Sequence, residues 1–274
     1  MIPAIFDYQR AESKDHAISL ISEHGDDAKV LAGGHSLIPL MKYRLAAPAV
    51  VIDVGRVEEL SYIREEDDFL AIGALTRHRE IETNELVLTN SGLLAAATKQ
   101  VGDPQVRHRG TIGGALAHGD PASDIPSAVL ALRASFIVQS SAGEREITSD
   151  DFFTGFLETA LEPDELLTEI RVPKMPDSTW SFKKFNRRAQ DWAIVGASVL
   201  VSENQCGVGL VNMDSKPVRA TAIEQAIING AAAEEASALA SEGLEPPSDL
   251  NASAEYRSHL ARVLTKRGLE ESGK

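Results

Sequence analysis

Residues 111–124 combine side chains that could do chemistry, in the order Thr-Ile-Gly-Gly-Ala-Leu-Ala-His-Gly-Asp-Pro-Ala-Ser-Asp. Residues 32–36, Ala-Gly-Gly-His-Ser, repeat the glycine pair with a histidine and a hydroxyl, just before an apolar helical pattern. Glycine pairs let successive backbone N–H groups turn toward one point, and a helix N-terminus behind them adds partial positive charge. One such pair indicates only a tight turn. Two of them predict a two-part cradle for the pyrophosphate of a phosphorylated cofactor, with Ser36 and Thr111 as added hydroxyl donors.

Neither glycine loop matches the better-known nucleotide fingerprints. The chain has no G-x-x-x-x-G-K-[ST] segment and no G-x-G-x-x-G segment after a strand, which disfavours a P-loop nucleotidase and a Rossmann dehydrogenase. It also shows no nucleophile elbow, no cysteine nucleophile and no acid/base pair. No catalytic residue is therefore predicted.

Three histidines near the glycine loops, His35, His108 and His118, raise the possibility of a metal site with Asp120 and Asp124. Their spacings match no standard ligand pattern, and histidines in glycine turns are usually explained by packing and backbone hydrogen bonds. We therefore predict no metal site and a structural role for His118.

Two further positions leave alternatives open. Asp124 begins an apolar run at residues 125–132, so its carboxylate is either a first-turn or N-cap group or an acceptor for a ligand hydroxyl such as a ribose. Residues 183–192, Lys-Lys-Phe-Asn-Arg-Arg-Ala-Gln-Asp-Trp, concentrate cations beside an aromatic ring. They are either a solvated strand end or a place where Trp192 contacts a planar ring and Lys184 an anionic group.

Composition restricts the class of protein. The 274 residues carry a net charge of −14, which disfavours partners with phosphate backbones or anionic lipid. A single cysteine, Cys206, excludes an intrachain disulfide and a thiolate-held zinc or iron–sulfur site, and its surroundings indicate a buried strand. No signal peptide and no apolar run of membrane-spanning length are expected. The chain is predicted to be cytoplasmic, with peripheral association with the inner face of the membrane left open.

Periodicity and caps predict the elements that position these residues. The first 55 residues form a β-turn-α-β unit, with a helix over 14–23 between Ser13 and Gly25, a helix from Leu37 to about Leu45 capped by Ser36, and strands at 29–31 and 49–53. Further helices are predicted at 86–99, 126–132, 220–229, 231–241 and 252–266, with a short one capped by Thr76 and a frayed tail from Glu270. Further strands are predicted at 69–73, 135–140, 144–148, 165–172, 180–185, 193–201 and 207–212, and an aromatic-rich turn at 150–156.

The best candidate for a domain boundary is residues 173–177, Pro-Lys-Met-Pro-Asp, where two prolines coincide with a change of pattern. We therefore expect one domain at residues 1–175, with subdomains at about 1–55 and 56–175, and a second at 176–274. Strands followed by helices after the boundary indicate a smaller α+β domain.

Four segments resemble those of the FAD-binding medium subunit of molybdenum hydroxylases. They are residues 32–39, 109–114, 117–124 and 184–193, and together with their spacing they extend the resemblance over nearly the whole chain. The carbon monoxide dehydrogenase branch of the family is the most similar, and the flavin domain of xanthine dehydrogenase is more distant. The resemblance implies an α+β fold: a two-subdomain FAD-binding domain of the vanillyl-alcohol-oxidase type, followed by a smaller α+β domain.

The resemblance also implies a cofactor site in this chain, with no metal. The FAD pyrophosphate would contact the two glycine loops, Asp124 the ribityl or ribose region and Lys184 the flavin side, while Trp192 stands where relatives commonly carry tyrosine or another aromatic. The implied cofactor-binding residues are Ala32, Gly33, Gly34, His35, Ser36, Leu37, Thr111, Ile112, Gly113, Gly114, Ala115, Asp124, Lys184 and Trp192.

By resemblance, the activity is electron transfer. A large subunit with molybdopterin-bound molybdenum would oxidise the substrate, a small subunit with [2Fe–2S] clusters would deliver electrons to the FAD, and quinone, NAD or oxygen would accept them, in a dimer of heterotrimers. The alternatives are the flavin subunit of a xanthine-, aldehyde- or nicotine-type hydroxylase, a stand-alone flavin oxidoreductase, and a binding module that holds no flavin. Intact glycine pairs disfavour the last, and the missing acid/base pair disfavours the stand-alone enzyme.

Overall fold

The N-terminal part of the chain is a three-stranded parallel sheet in the order β1-β3-β2, flanked by two helices. The computed structural model describes residues 2–203 and 205–274. The elements of this part are β1 (Asp7–Arg10), α1 (Lys14–His24), β2 (Ala28–Leu31), α2 (Leu37–Tyr43) and β3 (Val50–Asp53). The predicted β-turn-α-β unit is thereby confirmed.

Local caps fix α1 as predicted but not α2. The Ser13 hydroxyl accepts a hydrogen bond from the His16 amide, and Gly25 ends the helix with φ of 51°. Ser36 stands before α2, but its hydroxyl caps no amide, so that prediction is wrong. Its backbone is helical, at φ −101° and ψ −54°, rather than extended as a capping residue requires.

A five-stranded antiparallel sheet in the order β4-β5-β10-β6-β7 follows, and its buried face packs against helices. Its strands are β4 (Ile63–Glu65), β5 (Phe69–Gly73), β6 (Ser135–Ser140), β7 (Gly143–Thr148) and β10 (Leu166–Pro173). The hairpin predicted at residues 135–148 is confirmed by the pairing of Ser140 with Gly143. Between β7 and β10, a short helix and a two-stranded hairpin replace the predicted aromatic turn: α9 (Ser149–Phe152), β8 (Phe153–Gly155) and β9 (Glu158–Thr159).

Six helices connect β5 to β6. They are α3 (His78–Thr83), α4 (Glu85–Asn90), α5 (Gly92–Lys99), α6 (Pro104–Arg109), α7 (Ile112–His118) and α8 (Asp124–Ala131). The single helix predicted over 86–99 is wrong, because Ser91 leaves the helical region at φ −152°. Thr76 does not cap α3, since its hydroxyl instead bonds the backbone of Tyr62.

The C-terminal part is a four-stranded antiparallel sheet in chain order with helices on it. Its elements are β11 (Thr179–Phe185), β12 (Val195–Val201), β13 (Cys206–Val211), β14 (Val218–Arg219), α10 (Thr221–Ile228), α11 (Ala233–Ser237) and α12 (Ala254–Glu271). Cys206 is buried in a strand as predicted, and burial raises the pKa of its thiol to about 12. The expected frayed tail is wrong, because α12 continues to Glu271 and Ser272 is buried, with its carbonyl accepting a hydrogen bond of 2.8 Å from the Thr179 hydroxyl.

Helix α8 joins the two parts of the molecule. Gly207 and Gly209 of β13 lie directly against its backbone: a Cβ on Gly209 would sit 2.7 Å from the carbonyl carbon of Ser127. The hydroxyls of Ser127 and Ser198 also share a hydrogen bond of 2.8 Å. Because glycine allows this close approach, α8 packs closely on β13 and β12. Residues 174–178 connect the two parts, and the domain boundary there stays a prediction. Across residues 2–203 and 205–274, no helix combines the length and apolarity needed to cross a membrane.

Candidate functional site

The two glycine loops, which are far apart in sequence, meet in space. Gly33 lies against the backbone of Arg109 and Gly110, where a Cβ would be 2.9 Å from the Gly110 Cα. Gly114 faces Ala32, with 3.8 Å between the position that a Cβ would occupy and the Ala32 methyl. Glycine is needed at Gly33 because any side chain there would collide with main-chain atoms.

The side chain of Arg77 holds this contact between the loops. Its guanidinium donates to the carbonyl of Arg109, on the second loop's approach, and at 3.3 Å to the carbonyl of Gly55. A single cation thus ties the end of α6, just before the second loop, to the chain that follows β3.

A cleft of about 880 Å³ opens beside this contact, a size typical of small-molecule sites. Twelve of the fourteen sequence-predicted binding residues line it: Ala32, Gly33, His35, Ser36, Leu37, Thr111, Gly113, Gly114, Ala115, Asp124, Lys184 and Trp192. The other two do not. Gly34 forms the turn behind the loop at φ 79°, and Ile112 is fully buried in the core.

The backbone amides of the first loop are free to bind a ligand. Among the residues that the structure describes, no protein acceptor is found for the N–H group of any residue from 33 to 37. Four of these five residues are partly buried and His35 is exposed; partly buried N–H groups without partners are costly, so the run suits a ligand with several acceptor oxygens. An anion such as a pyrophosphate meets this requirement.

The second loop differs from the first, which corrects the expectation of two equivalent nests. The amides of Ile112 and Gly113 donate to the carbonyls of Thr76 and Ala74, at 3.1 and 2.8 Å. The Gly114 amide donates to the hydroxyl of Thr111, which caps α7. With these amides already bonded, the second loop offers a surface without side chains that a ligand can approach closely, rather than a set of donors.

Asp124 and Lys184 form a buried ion pair on the wall of the cleft. The Lys184 Nζ lies 2.7 Å from Oδ2 of Asp124 and also donates to the carbonyl of Gln100 at 3.0 Å. Ser123 occupies the N-cap position of α8, so Asp124 is a first-turn carboxylate. Its other oxygen, Oδ1, is buried and has no hydrogen-bond partner within residues 2–203 and 205–274. An acceptor left over in this way suits a ligand hydroxyl.

Burial raises the pKa of Asp124 to about 6, and the attraction and hydrogen bond of Lys184 oppose that rise. At neutral pH the carboxylate is ionised and accepts hydrogen bonds without donating any. The site therefore holds one fixed negative and one fixed positive group side by side, which positions polar parts of a ligand by charge-assisted hydrogen bonds.

Trp192 supplies an aromatic ring at the mouth of the cleft. It lies on the segment between β11 and β12, and 61% of its surface is exposed. Gln190 and Asp191 of the same segment also line the cleft. A large exposed ring beside a cleft is available to pack against a planar ligand group.

The histidines do not assemble a metal site. His35 and His118 line the cleft, and in the described part of the chain no group of three metal-ligating side chains comes together. A fourth histidine, His78, was not singled out from the sequence. It is buried against Gly110, and burial lowers its pKa to about 4, so that it is neutral at physiological pH.

Sequence reasoning also missed one wall of the cleft. The β8–β9 hairpin contributes Thr154, Leu157 and Glu158, and it rests on Gly119 at the end of α7. Apolar side chains extend this wall, namely Leu75, Leu161, Leu166 and Leu167. No local signal marks them, because buried leucines in strands and turns carry the same pattern whether they line a ligand or a core.

Two family models cover the chain. Residues 4–175 match the FAD binding domain in molybdopterin dehydrogenase, and residues 180–272 match the CO dehydrogenase flavoprotein C-terminal domain. The carbon monoxide dehydrogenase medium chain of Hydrogenophaga pseudoflava is 38% identical, over 98% of this chain and 97% of its own length. The 6-hydroxypseudooxynicotine dehydrogenase complex subunit alpha of Paenarthrobacter nicotinovorans is 36% identical, over 99% and 96%.

A solved structure has the same fold. Carbon monoxide dehydrogenase from Hydrogenophaga pseudoflava superimposes with a TM-score of 0.95 at 39% identity, covering 99% of this chain and 98% of its own. The α+β fold, the FAD cofactor and the resemblance inferred from the sequence are thereby confirmed. The chain belongs to the FAD-binding medium subunits of the molybdopterin dehydrogenases, the oxidoreductase family that includes the flavoprotein of carbon monoxide dehydrogenase.

Proposed function

We propose that the cleft binds FAD through the residues described above and that the chain passes electrons within a larger complex. The observation that supports the proposal is the run of amides without protein acceptors at residues 33–37, four of which line the same cleft as Gly113 and Gly114. These amides would bind the pyrophosphate, since each charge-assisted hydrogen bond to an anion contributes about 1.5–3 kcal/mol.

The remaining contacts follow the length of the cleft. The free oxygen of Asp124 would accept a hydrogen bond from a sugar or ribityl hydroxyl, and Lys184 would hold that carboxylate ionised and in place. Trp192 would pack against the planar ring. The bound flavin supplies the ability to accept and release electrons, and the protein supplies its position and its electrostatic surroundings.

The partners follow from the family. We propose a large subunit with molybdopterin-bound molybdenum and a small subunit with [2Fe–2S] clusters, assembled as a dimer of heterotrimers, with quinone, NAD or oxygen as the external acceptor. Relatives of similar identity carry names for carbon monoxide and for 6-hydroxypseudooxynicotine, which supports a choice of substrate made outside this chain. A cytoplasmic location is part of the same proposal, since the cysteine thiols of a cluster-bearing partner stay reduced there.

Purification of the chain with its co-expressed partners tests the proposal. We expect one flavin per chain in the absorption spectrum, and reduction of that flavin when the substrate of the large subunit is added. Failure of the chain to bind FAD after reconstitution would contradict it. Turnover of a small substrate by the isolated flavin-loaded chain would instead favour a stand-alone oxidoreductase.

A further inference from the structure

Residues 185–194, the Trp192 segment, are held by hydrogen bonds at the two residues that follow the tryptophan. The Ile194 amide donates to the Phe185 carbonyl at 2.8 Å, which closes the connection between β11 and β12. The side-chain amide of Asn212 donates to the Ala193 carbonyl at 3.0 Å, and the guanidinium of Arg257 donates to the Ile194 carbonyl. Two successive carbonyls after Trp192 are thus held by side chains from outside the segment.

Arg257 is the unusual member of this set. It lies in the first turn of α12 and is completely buried, with its charge balanced by Asp249 at 2.8 Å. Burying a guanidinium costs free energy unless it is paired and hydrogen-bonded, so the burial of Arg257 indicates that the group has a structural role. The group that it holds is the Ile194 carbonyl.

The same end of α12 also contacts the start of the Trp192 segment. The ring of Tyr256 meets the ring of Phe185 edge to face, with 6.4 Å between centroids. Phe185 directly follows Lys184, whose ammonium group pairs with Asp124. The first turn of α12 therefore contacts the Trp192 segment at both of its ends.

We propose that Arg257 is a positioning residue that fixes the segment from Phe185 to Ile194, so that the indole of Trp192 lies against the planar ring of the cofactor. This inference rests on the proposed function, because it needs FAD in the cleft. An arginine that only stabilised the fold would change the melting temperature and leave the contact between the indole and the flavin unchanged.

Tryptophan fluorescence tests the proposal directly. The chain has two tryptophans, so Trp180→Phe leaves Trp192 as the single emitter. The full chain with this substitution is stripped of flavin and titrated with FAD, while bound FAD is measured independently by ultrafiltration. We expect strong quenching of Trp192 in this parent. We expect at least twofold weaker quenching in Arg257→Met at equal FAD occupancy, with easier quenching by acrylamide before FAD is added.

Two further variants make the result decisive. Arg257→Lys keeps the charge but loses the planar fork, and we expect intermediate quenching from it; it also serves as the test if Arg257→Met does not fold. Lys266→Met removes a cation of the same helix that pairs with Glu234 and Glu270 rather than with the segment, and we expect it to match the parent. Equal flavin quenching and equal acrylamide quenching in the parent and both Arg257 variants would overturn the inference. Absence of FAD binding in the parent would contradict the proposed function alone, since the acrylamide comparison still decides whether Arg257 holds the segment.

Discussion

Replacement of Gly33 by alanine tests whether the two glycine loops must touch for the cleft to bind FAD. The new Cβ would lie 2.9 Å from the Gly110 Cα and closer still to the Arg109 carbonyl oxygen, whereas ordinary contacts begin at 3.4 Å. Both neighbours are main-chain atoms, so neither can rotate away. The loops must separate by about 0.5 Å or more, and such overpacking costs about 1–3 kcal/mol.

That strain is expected to appear in the affinity for FAD. If the bound cofactor requires the loops in contact, the same 1–3 kcal/mol lowers its affinity by about 5- to 150-fold. The measurement is a titration of the flavin-free chain with FAD, followed by flavin fluorescence, with thermal unfolding recorded in parallel.

Gly114→Ala is the matched control in the other loop. Its Cβ would lie 2.8 Å from the Thr111 hydroxyl, which can rotate, and 3.8 Å from the Ala32 methyl. We expect a loss of stability of about 1 kcal/mol from the weakened cap, and a smaller loss of FAD affinity than in Gly33→Ala. Wild-type affinity together with a wild-type melting temperature in Gly33→Ala would refute the contact between the loops.

Three further predictions concern α8 and its ion pair. Gly209→Ala should push β13 away from Ser127 and lower the melting temperature by about 2–10 °C, measured by circular dichroism; an unchanged melting temperature would show that the contact is loose. Folding raises the pKa of Asp124 from 3.8 to about 6, so between pH 3.8 and about 6 the folded state binds more protons than the unfolded state. The unfolding free energy of the flavin-free chain should therefore fall by about 3 kcal/mol as the pH rises through this range. Denaturant titrations between pH 4 and 7 should show this fall of the unfolding free energy with pH in wild type and not in Asp124→Asn. The same pH dependence in both proteins would contradict the prediction. Lys184→Met removes the cation that lowers the pKa of the buried Asp124, so the carboxyl binds a proton and the variant should lose about 1–2 kcal/mol at pH 7, with recovery in the double variant Asp124→Asn/Lys184→Met; a single variant as stable as wild type in urea would argue against the pair.

Local signals in the sequence were sufficient for most elements. Ser13 and Gly25 bound α1 as predicted, because a cap and a glycine with positive φ act within one helical turn. The hairpin of β6 and β7 and the presence of strands β11, β12 and β13 also follow from alternation and turn residues. The break at Ser91 was missed although residues 90–92, Asn-Ser-Gly, form a local turn signal. The indole of Trp180 packs on Gly92 there from a distant strand.

The sequence by itself determined the two glycine loops, the fold class and twelve residues of the cleft lining. Only the tertiary structure decided how those residues are used: which loop has free amides, which oxygen of Asp124 is left without a partner, and which wall the β8–β9 hairpin forms. The physical reason is the distance along the chain over which each kind of interaction acts. Caps, turns and periodicity act over a few residues, whereas the partner of Asp124 is 60 positions away and becomes its neighbour only when the C-terminal sheet closes on α8.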